Sequence, residues 1–125
     1  MSKVNMAKIL IIDDVEVARN TMKRMLERKG HTILEAENGK KGIKIVEQED
    51  LNLVITDIIM PDMEGIETIR KLVKMKPGLP IIAVTASTDS PYLQMALKFG
   101  AVCGLFKPFK QAELLNVVEK ALNHK

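Results

Sequence analysis

Residues 9–20 read ILIIDDVEVARN: four apolar residues, Ile9 to Ile12, run directly into two neighbouring acids, Asp13 and Asp14. A short unbroken apolar run predicts a strand buried on both faces, as in a parallel sheet covered by helices, rather than the alternation of a half-exposed strand. From Val15 the spacing changes. Val15, Ala18, Met22, Met25 and Leu26 recur at helical intervals and stop before Gly30, which predicts a helix closed by a glycine cap. The unit is a buried strand, a charged tip and a helix.

The rest of the chain repeats that unit. HTILEA (31–36) predicts a second strand, Asn38-Gly39 a turn, and KKGIKIVEQE (40–49) a helix carrying Gly42. LNLVITD (51–57) echoes the opening, a β-branched run that ends on Asp57. IIMPDMEGIE (58–67) is a loop punctuated by Pro61 and Gly65, and Ile66, Ile69, Leu72 and Val73 mark a helix that stops before Pro77-Gly78. PIIAVTA (80–86) predicts a fourth strand; Ser90-Pro91 has the form of an N-cap with proline in the first helical position, opening a helix to Gly100. AVCGLF (101–106) is the fifth strand, and beyond Lys107-Pro108 the residues Leu114, Leu115, Val118 and Leu122 carry the last helix. Five such alternations with short connections predict an α/β fold with a parallel sheet covered on both faces, and 125 residues without a linker predict one domain over 1–125.

Composition narrows the class. The apolar run after Lys3 and Lys8 is far shorter than the roughly 7–15 residues of a signal peptide core, and no stretch approaches the roughly 20 needed to span a bilayer. The lone Cys103 cannot form an internal disulfide, so a soluble protein of the reducing cytoplasm is expected, with no membrane partner. Nineteen basic against sixteen acidic residues give +3, but the bases are scattered rather than gathered beside aromatics, so direct nucleic-acid binding is not expected. Met22, Met25 and Met95 lie on helical stripes and are assigned to the core; Cys103, inside a strand pattern, is expected as a buried small hydrophobe; His31 and His124 show no metal-ligand spacing.

In open parallel sheets, ligands bind beyond the carboxyl ends of the strands. The polar residues that interrupt the strand patterns all fall there: Asp13 and Asp14 after the first, Asp57 after the third, Thr85 at the fourth and Lys107 at the fifth. One acid alone would be read as a helix cap. Three acids brought together repel one another unless a cation joins them, and an oxygen-only donor set selects a hard ion, Mg2+ or Mn2+. Lys107 offers a point charge and Thr85 a hydroxyl, both suited to phosphate oxygens, while Asp57 is placed to act as a nucleophile toward phosphorus.

These residues, in IIDD (11–14), VITDIIMPDMEG (54–65), AVTA (83–86) and KPF (107–109), make the chain resemble the receiver domain of two-component response regulators over essentially its whole length. The resemblance implies a flavodoxin-like doubly wound sheet in the order 2-1-3-4-5 with about five helices. It also implies that Asp57 is phosphorylated by a histidine kinase or phosphotransfer protein. Asp14, Asp57 and the Ile59 carbonyl would ligate Mg2+, with Asp13 acting mainly through water. Lys107 would pair with Asp57 or its phosphate, Thr85 would move toward the phosphoryl group, and the Lys107-Pro108 peptide would be cis. Output to a downstream protein would leave through the fourth helix, fifth strand and fifth helix. Such a protein is not an enzyme beyond its own phosphorylation and dephosphorylation.

One departure stands out. Many receivers carry Tyr or Phe three residues before the lysine, where this chain has Gly104, which permits a close approach to the strand. Ile59 and Ser87, two residues after Asp57 and Thr85, would flank the path of attacking water, and an apolar Ile59 predicts a long-lived phosphoryl group. Two rivals share parts of the pattern. An aspartyl-phosphate phosphohydrolase would set a second acid two residues after its nucleophile, where Ile59 stands, and would carry a cap. A flavodoxin-like FMN protein would need a Ser/Thr/Gly phosphate loop in place of DDVEVA. No effector sequence follows Lys125, so a stand-alone receiver is expected.

Overall fold

A computed structural model describes residues 6–61 and 65–123, apart from the Ser87 side chain. Five parallel strands, β1 (Lys8–Ile12), β2 (Thr32–Ala36), β3 (Leu53–Asp57), β4 (Ile81–Ala86) and β5 (Cys103–Lys107), lie in the order β2-β1-β3-β4-β5. They alternate with five α-helices, α1 (Glu16–Glu27), α2 (Gly39–Gln48), α3 (Gly65–Met75), α4 (Ser90–Lys98) and α5 (Gln111–Leu122). The covered parallel sheet is the one the strand pattern predicts, and its strand order is that of the flavodoxin-like fold the resemblance implies. Among the described residues, no helix is long and apolar enough to cross a membrane.

Strand alternation explains why the apolar runs are unbroken. Leu10, Ile12, Val54, Ile81 and Ala83 face one core with residues of α2, α3 and α4, whereas Ile9, Ile11, Leu53, Ile55, Ile82, Val84 and Leu105 face the other with α1 and α5. Each fully buried Leu or Ile contributes about 1.5–3 kcal/mol of transfer free energy, and the three central strands are apolar on both sides because both sides are covered. The register sets Ile12 beside Thr56 and Asp57 beside Val84, so the tips of β1, β3 and β4 reach one rim together.

Local readings differ at five places. Asn38 is the N-cap of α2 rather than a turn residue, its side chain accepting from the Lys41 N–H at 2.9 Å; the same residue types serve both purposes. Asp89 rather than Ser90 caps α4, because a 3-10 turn over Ser87–Asp89 precedes it. Val15 is exposed at the rim, outside the buried stripe of α1. Met95 is also exposed, since α4 is buried only at Leu93 and Ala96, and Cys103 is only half-buried on an edge strand. His31 accepts from the Ala7 N–H at 3.1 Å, with burial lowering its pKa, and His124 lies outside the described residues.

Candidate functional site: an acidic rim facing a lysine

Asp13 leaves β1 with no exposed surface and is fixed at every polar group. Its N–H donates to the Ala36 carbonyl at 3.1 Å, its Oδ1 accepts from the Val15 N–H at 2.9 Å and its Oδ2 accepts from Lys107 Nζ at 3.0 Å. Asp57, the last residue of β3, is 9% exposed, whereas Asp14 is exposed to solvent. The carboxylates of Asp13, Asp14 and Asp57 each place an oxygen within 4.8 Å of the others. Gly65 helps to shape this corner. A Cβ there would run into the Ile58 backbone and the Asp57 carbonyl, so only glycine lets α3 begin directly against the end of β3.

Lys107, the last residue of β5, reaches in from the opposite side. Its ammonium lies 3.0 Å from Asp13 Oδ2 and 3.6 Å from Asp57 Oδ2, so the shorter ion pair is with Asp13 rather than Asp57. The Lys107-Pro108 peptide is cis. Thr85 is 1% exposed and its Oγ1 finds no hydrogen-bond partner among the described residues. A buried hydroxyl left unpaired costs about 1–3 kcal/mol, which marks it as an atom awaiting a partner. Ile59 is exposed beside Asp57, and the side chain of Ser87 lies outside the described residues, as do residues 62–64 of the loop.

The electrostatics run against the acids. Burial is the largest influence on Asp57 and pushes its carboxyl up to about 6; Lys107 pulls it back, Asp13 pushes it further, and the backbone N–H groups of Ile59 and Ile58 stabilise its charge. For Lys107, burial alone would lower the pKa, but the hydrogen bond it donates to Asp13 and the charges of Asp57 and Asp13 outweigh it and raise the ammonium above its usual range. One ammonium against three acids leaves the rim short of positive charge. Oxygen-only donors that crowd together in this way fit a hard dication, with Asp13, Asp14 and Asp57 as its candidate holders.

Residues 9–119 match the response regulator receiver domain. This chain belongs to that family. The receiver is 34% identical over 119 residues to protein PilH of Pseudomonas aeruginosa, a match covering 94% of this chain and 98% of PilH. It is 33% identical over 120 residues to a probable C4-dicarboxylate response regulator of Bacillus subtilis, DctR, but spans only 53% of that protein. A crystal structure of a CheY-like receiver domain protein from Methanospirillum hungatei superposes with a TM-score of 0.89 at 32% identity, covering 94% of each chain. Receivers are signalling modules of two-component systems that work with histidine kinases and downstream effectors, and they are generally Mg2+-dependent.

Two features of this receiver escaped the sequence reading. The first is what fills the space at Gly104, a position the sequence already marks as lacking the ring. A Cβ on Gly104 would lie 2.6 Å from Leu93 Cδ1 and 2.8 Å from Cδ2, so the space above β5 where many receivers carry a ring is filled by Leu93, reaching down from α4. The second is Arg19, whose Nη1 donates to the Asp13 carbonyl at 2.6 Å while its Nε donates to Glu35 at 3.1 Å. The signal for the second was an acid, Glu35, near the end of a largely apolar strand.

Proposed function

We propose that this receiver accepts a phosphoryl group on Asp57 from a histidine kinase or phosphotransfer protein, with Mg2+ (or Mn2+) held by Asp13, Asp14, Asp57 and the Ile59 carbonyl, and that phosphorylation alters partner binding at the α4-β5-α5 face. The observation that carries this reading is the meeting of three strand-end acids within 4.8 Å, beside a lysine bonded to one of them. The dication supplies charge neutralisation for the acids and for the oxygens of the group in transfer.

The chain's own residues divide the work. A carboxylate oxygen of Asp57 attacks phosphorus; the donor's N–P bond breaks and its electron pair leaves with the donor nitrogen. Lys107 stands within reach of both Asp13 and Asp57 and turns to the new phosphoryl oxygens. Thr85 donates its unpaired hydroxyl to another of those oxygens, which replaces the missing hydrogen bond. Ile59, exposed and apolar, gives no hydrogen bond to incoming water, and with Ser87 it sets how long the phosphoryl group lasts. An apolar groove of about 540 Å³ opens beside Lys107, lined by Ala18, Met22, Met25, Pro108 and Phe109, and suits the approach of a protein donor.

Output follows from the chain's connectivity. Thr85 is joined through Ala86 and the Ser87–Asp89 turn to α4, whose buried residues are Leu93 and Ala96. Movement of Thr85 toward the phosphoryl group draws on that turn and lifts Leu93 from its seat on Gly104. Tyr92, Met95 and Phe106, exposed on α4 and β5, then present a different apolar surface. The test of the acceptor is incubation with acetyl phosphate and Mg2+ followed by intact mass. One added phosphate is expected in the wild-type protein and none in Asp57→Asn or after chelation; equal labelling of Asp57→Asn would reject Asp57 as the acceptor.

A further inference from the structure

Glu35 stands near the end of edge strand β2, on the side facing α1, and takes two cations: Arg19 Nε at 3.1 Å and Lys23 Nζ at 3.1 Å. Arg19 is the more buried of the two, with 13% of its side chain exposed. Its guanidinium spans from Glu35 to the Asp13 carbonyl, 2.6 Å from Nη1. Arginine does this because its planar fork presents donors in two directions at once; a lysine ammonium on one stem could not hold both acceptors in the same geometry. The Asp13 carbonyl belongs to the peptide that leads into Asp14, and Arg19 and Asp14 line one rim cavity of about 420 Å³ together with Glu16, Glu37, Asn38 and Pro61.

We propose that Arg19, braced by Glu35, is a positioning residue for the metal seat: it fixes the Asp13-Asp14 peptide, and through it the direction of the exposed Asp14 carboxylate. Asp13 has other ties, to Ala36, Val15 and Lys107, but each of those holds its N–H or its carboxylate. Arg19 is the side chain that holds its carbonyl. The inference rests on the reading of Asp13, Asp14 and Asp57 as holders of a divalent ion.

Charge and geometry predict opposite signs, which makes the role testable. Arg19 is a cation beside a cation site, so if it acted through charge alone its removal would tighten metal binding. If it positions the seat, its removal weakens binding, by about 10-fold or more on the scale of second-layer partners of metal ligands. The experiment is Mg2+ titration of the phosphodonor-free protein, followed by backbone amide shifts, for wild type, Arg19→Gln, Arg19→Lys and Lys23→Gln. Lys23→Gln removes a positive charge from the same Glu35 without touching Asp13, and its Mg2+ affinity is expected to stay within about twofold of wild type or to tighten. Arg19→Gln is expected to lose about 10-fold, with Arg19→Lys recovering part of the loss. Equal or tighter Mg2+ binding by folded Arg19→Gln overturns the proposal, as does an equal loss in Lys23→Gln. Should Arg19→Gln fail to fold, Arg19→Lys, which keeps the charge but cannot hold both acceptors in the same geometry, must still show a loss, and Mg2+ affinity equal to wild type there overturns the role. A wild-type protein whose rim amides ignore Mg2+ removes the metal reading itself, a result distinct from any difference between variants.

Discussion

The two halves of the strand-end rim are held very differently. On the acid half, Asp13 is bonded through its N–H, its carbonyl and both carboxylate oxygens, and the brace from Glu35 through Arg19 ties β2 to the same corner. On the switch half, Thr85 has a buried hydroxyl without a partner among the described residues, and α4 meets the sheet through two buried side chains. A closely tied Asp13 suits the proposed seat, which would have to keep its shape while ions and phosphoryl groups come and go. A lightly held helix next to an unpaired hydroxyl suits an element with two arrangements of similar free energy, which a ligand can bias only if it contacts the two differently.

The largest expected effect comes from forcing the loose half. Gly104→Ala would put a methyl group into the space of Leu93, at 2.6–2.9 Å from three of its carbons, while leaving the acids untouched. Overpacking of this kind costs about 1–3 kcal/mol, and under the proposed output it would fall on the seated arrangement of α4 rather than a lifted one. By linkage, a phosphate mimic that favours the lifted helix should then bind more tightly, by about 5-fold or more, because coupling between sites is reciprocal. Beryllofluoride titration monitored by amide shifts on α4 reads this directly. Unchanged mimic affinity in a folded Gly104→Ala protein would mean that output does not pass through the Leu93 seat. In Leu93→Ala the same glycine substitution should have much less effect, since its clash partner is gone.

A smaller effect is expected at Ile59, which lies between the halves and is exposed beside Asp57. Ile59→Asn supplies a polar group where attacking water would pass, and one added hydrogen bond of about 1 kcal/mol in the transition state corresponds to about a 5-fold faster loss of phosphate. The decay of the phosphorylated mass after chelation, measured for both proteins, checks it. Equal lifetimes would remove Ile59 from control of the reaction.

Much of this was legible from residue order, because physics constrains it there. Continuous apolar strands demand cover on both faces, and acids at strand tips stand out against them, so a covered parallel sheet and the residues Asp13, Asp14, Asp57, Thr85 and Lys107 could be picked out from the sequence, while the strand order came only from the family resemblance. What could not be read depends on how elements rotate against each other. Met95 fits a helical stripe, yet α4 is set so that Leu93 and Ala96 face the sheet and Met95 faces solvent. Gly104 was legible as a missing ring and a close approach, but that a leucine from α4 fills the space is decided by the same rotation. The Arg19 brace was hidden because Glu35 and Arg19 are 16 residues apart and meet only when α1 packs beside β2.

The smallest expected effect tests whether the tie on the acid half is electrostatic. Burial alone would raise the pKa of Glu35, but hydrogen bonds and charge from Lys23 and Arg19 outweigh it, so the folded value lies below the ordinary 4.5. A carboxylate whose pKa is depressed by folding adds stability that is complete above its unfolded value and is lost as the pH falls through its folded one. The wild-type protein should therefore lose more stability than Glu35→Gln between pH 7 and pH 4, by about 1 kcal/mol or less for a partly exposed pair, read as the change in urea midpoint. Identical losses would show that the brace is held by packing instead. The switch half offers no such handle, since Thr85, Leu93 and Gly104 carry no ionisable side chain; acid should loosen the proposed metal seat before it disturbs the seat of Leu93.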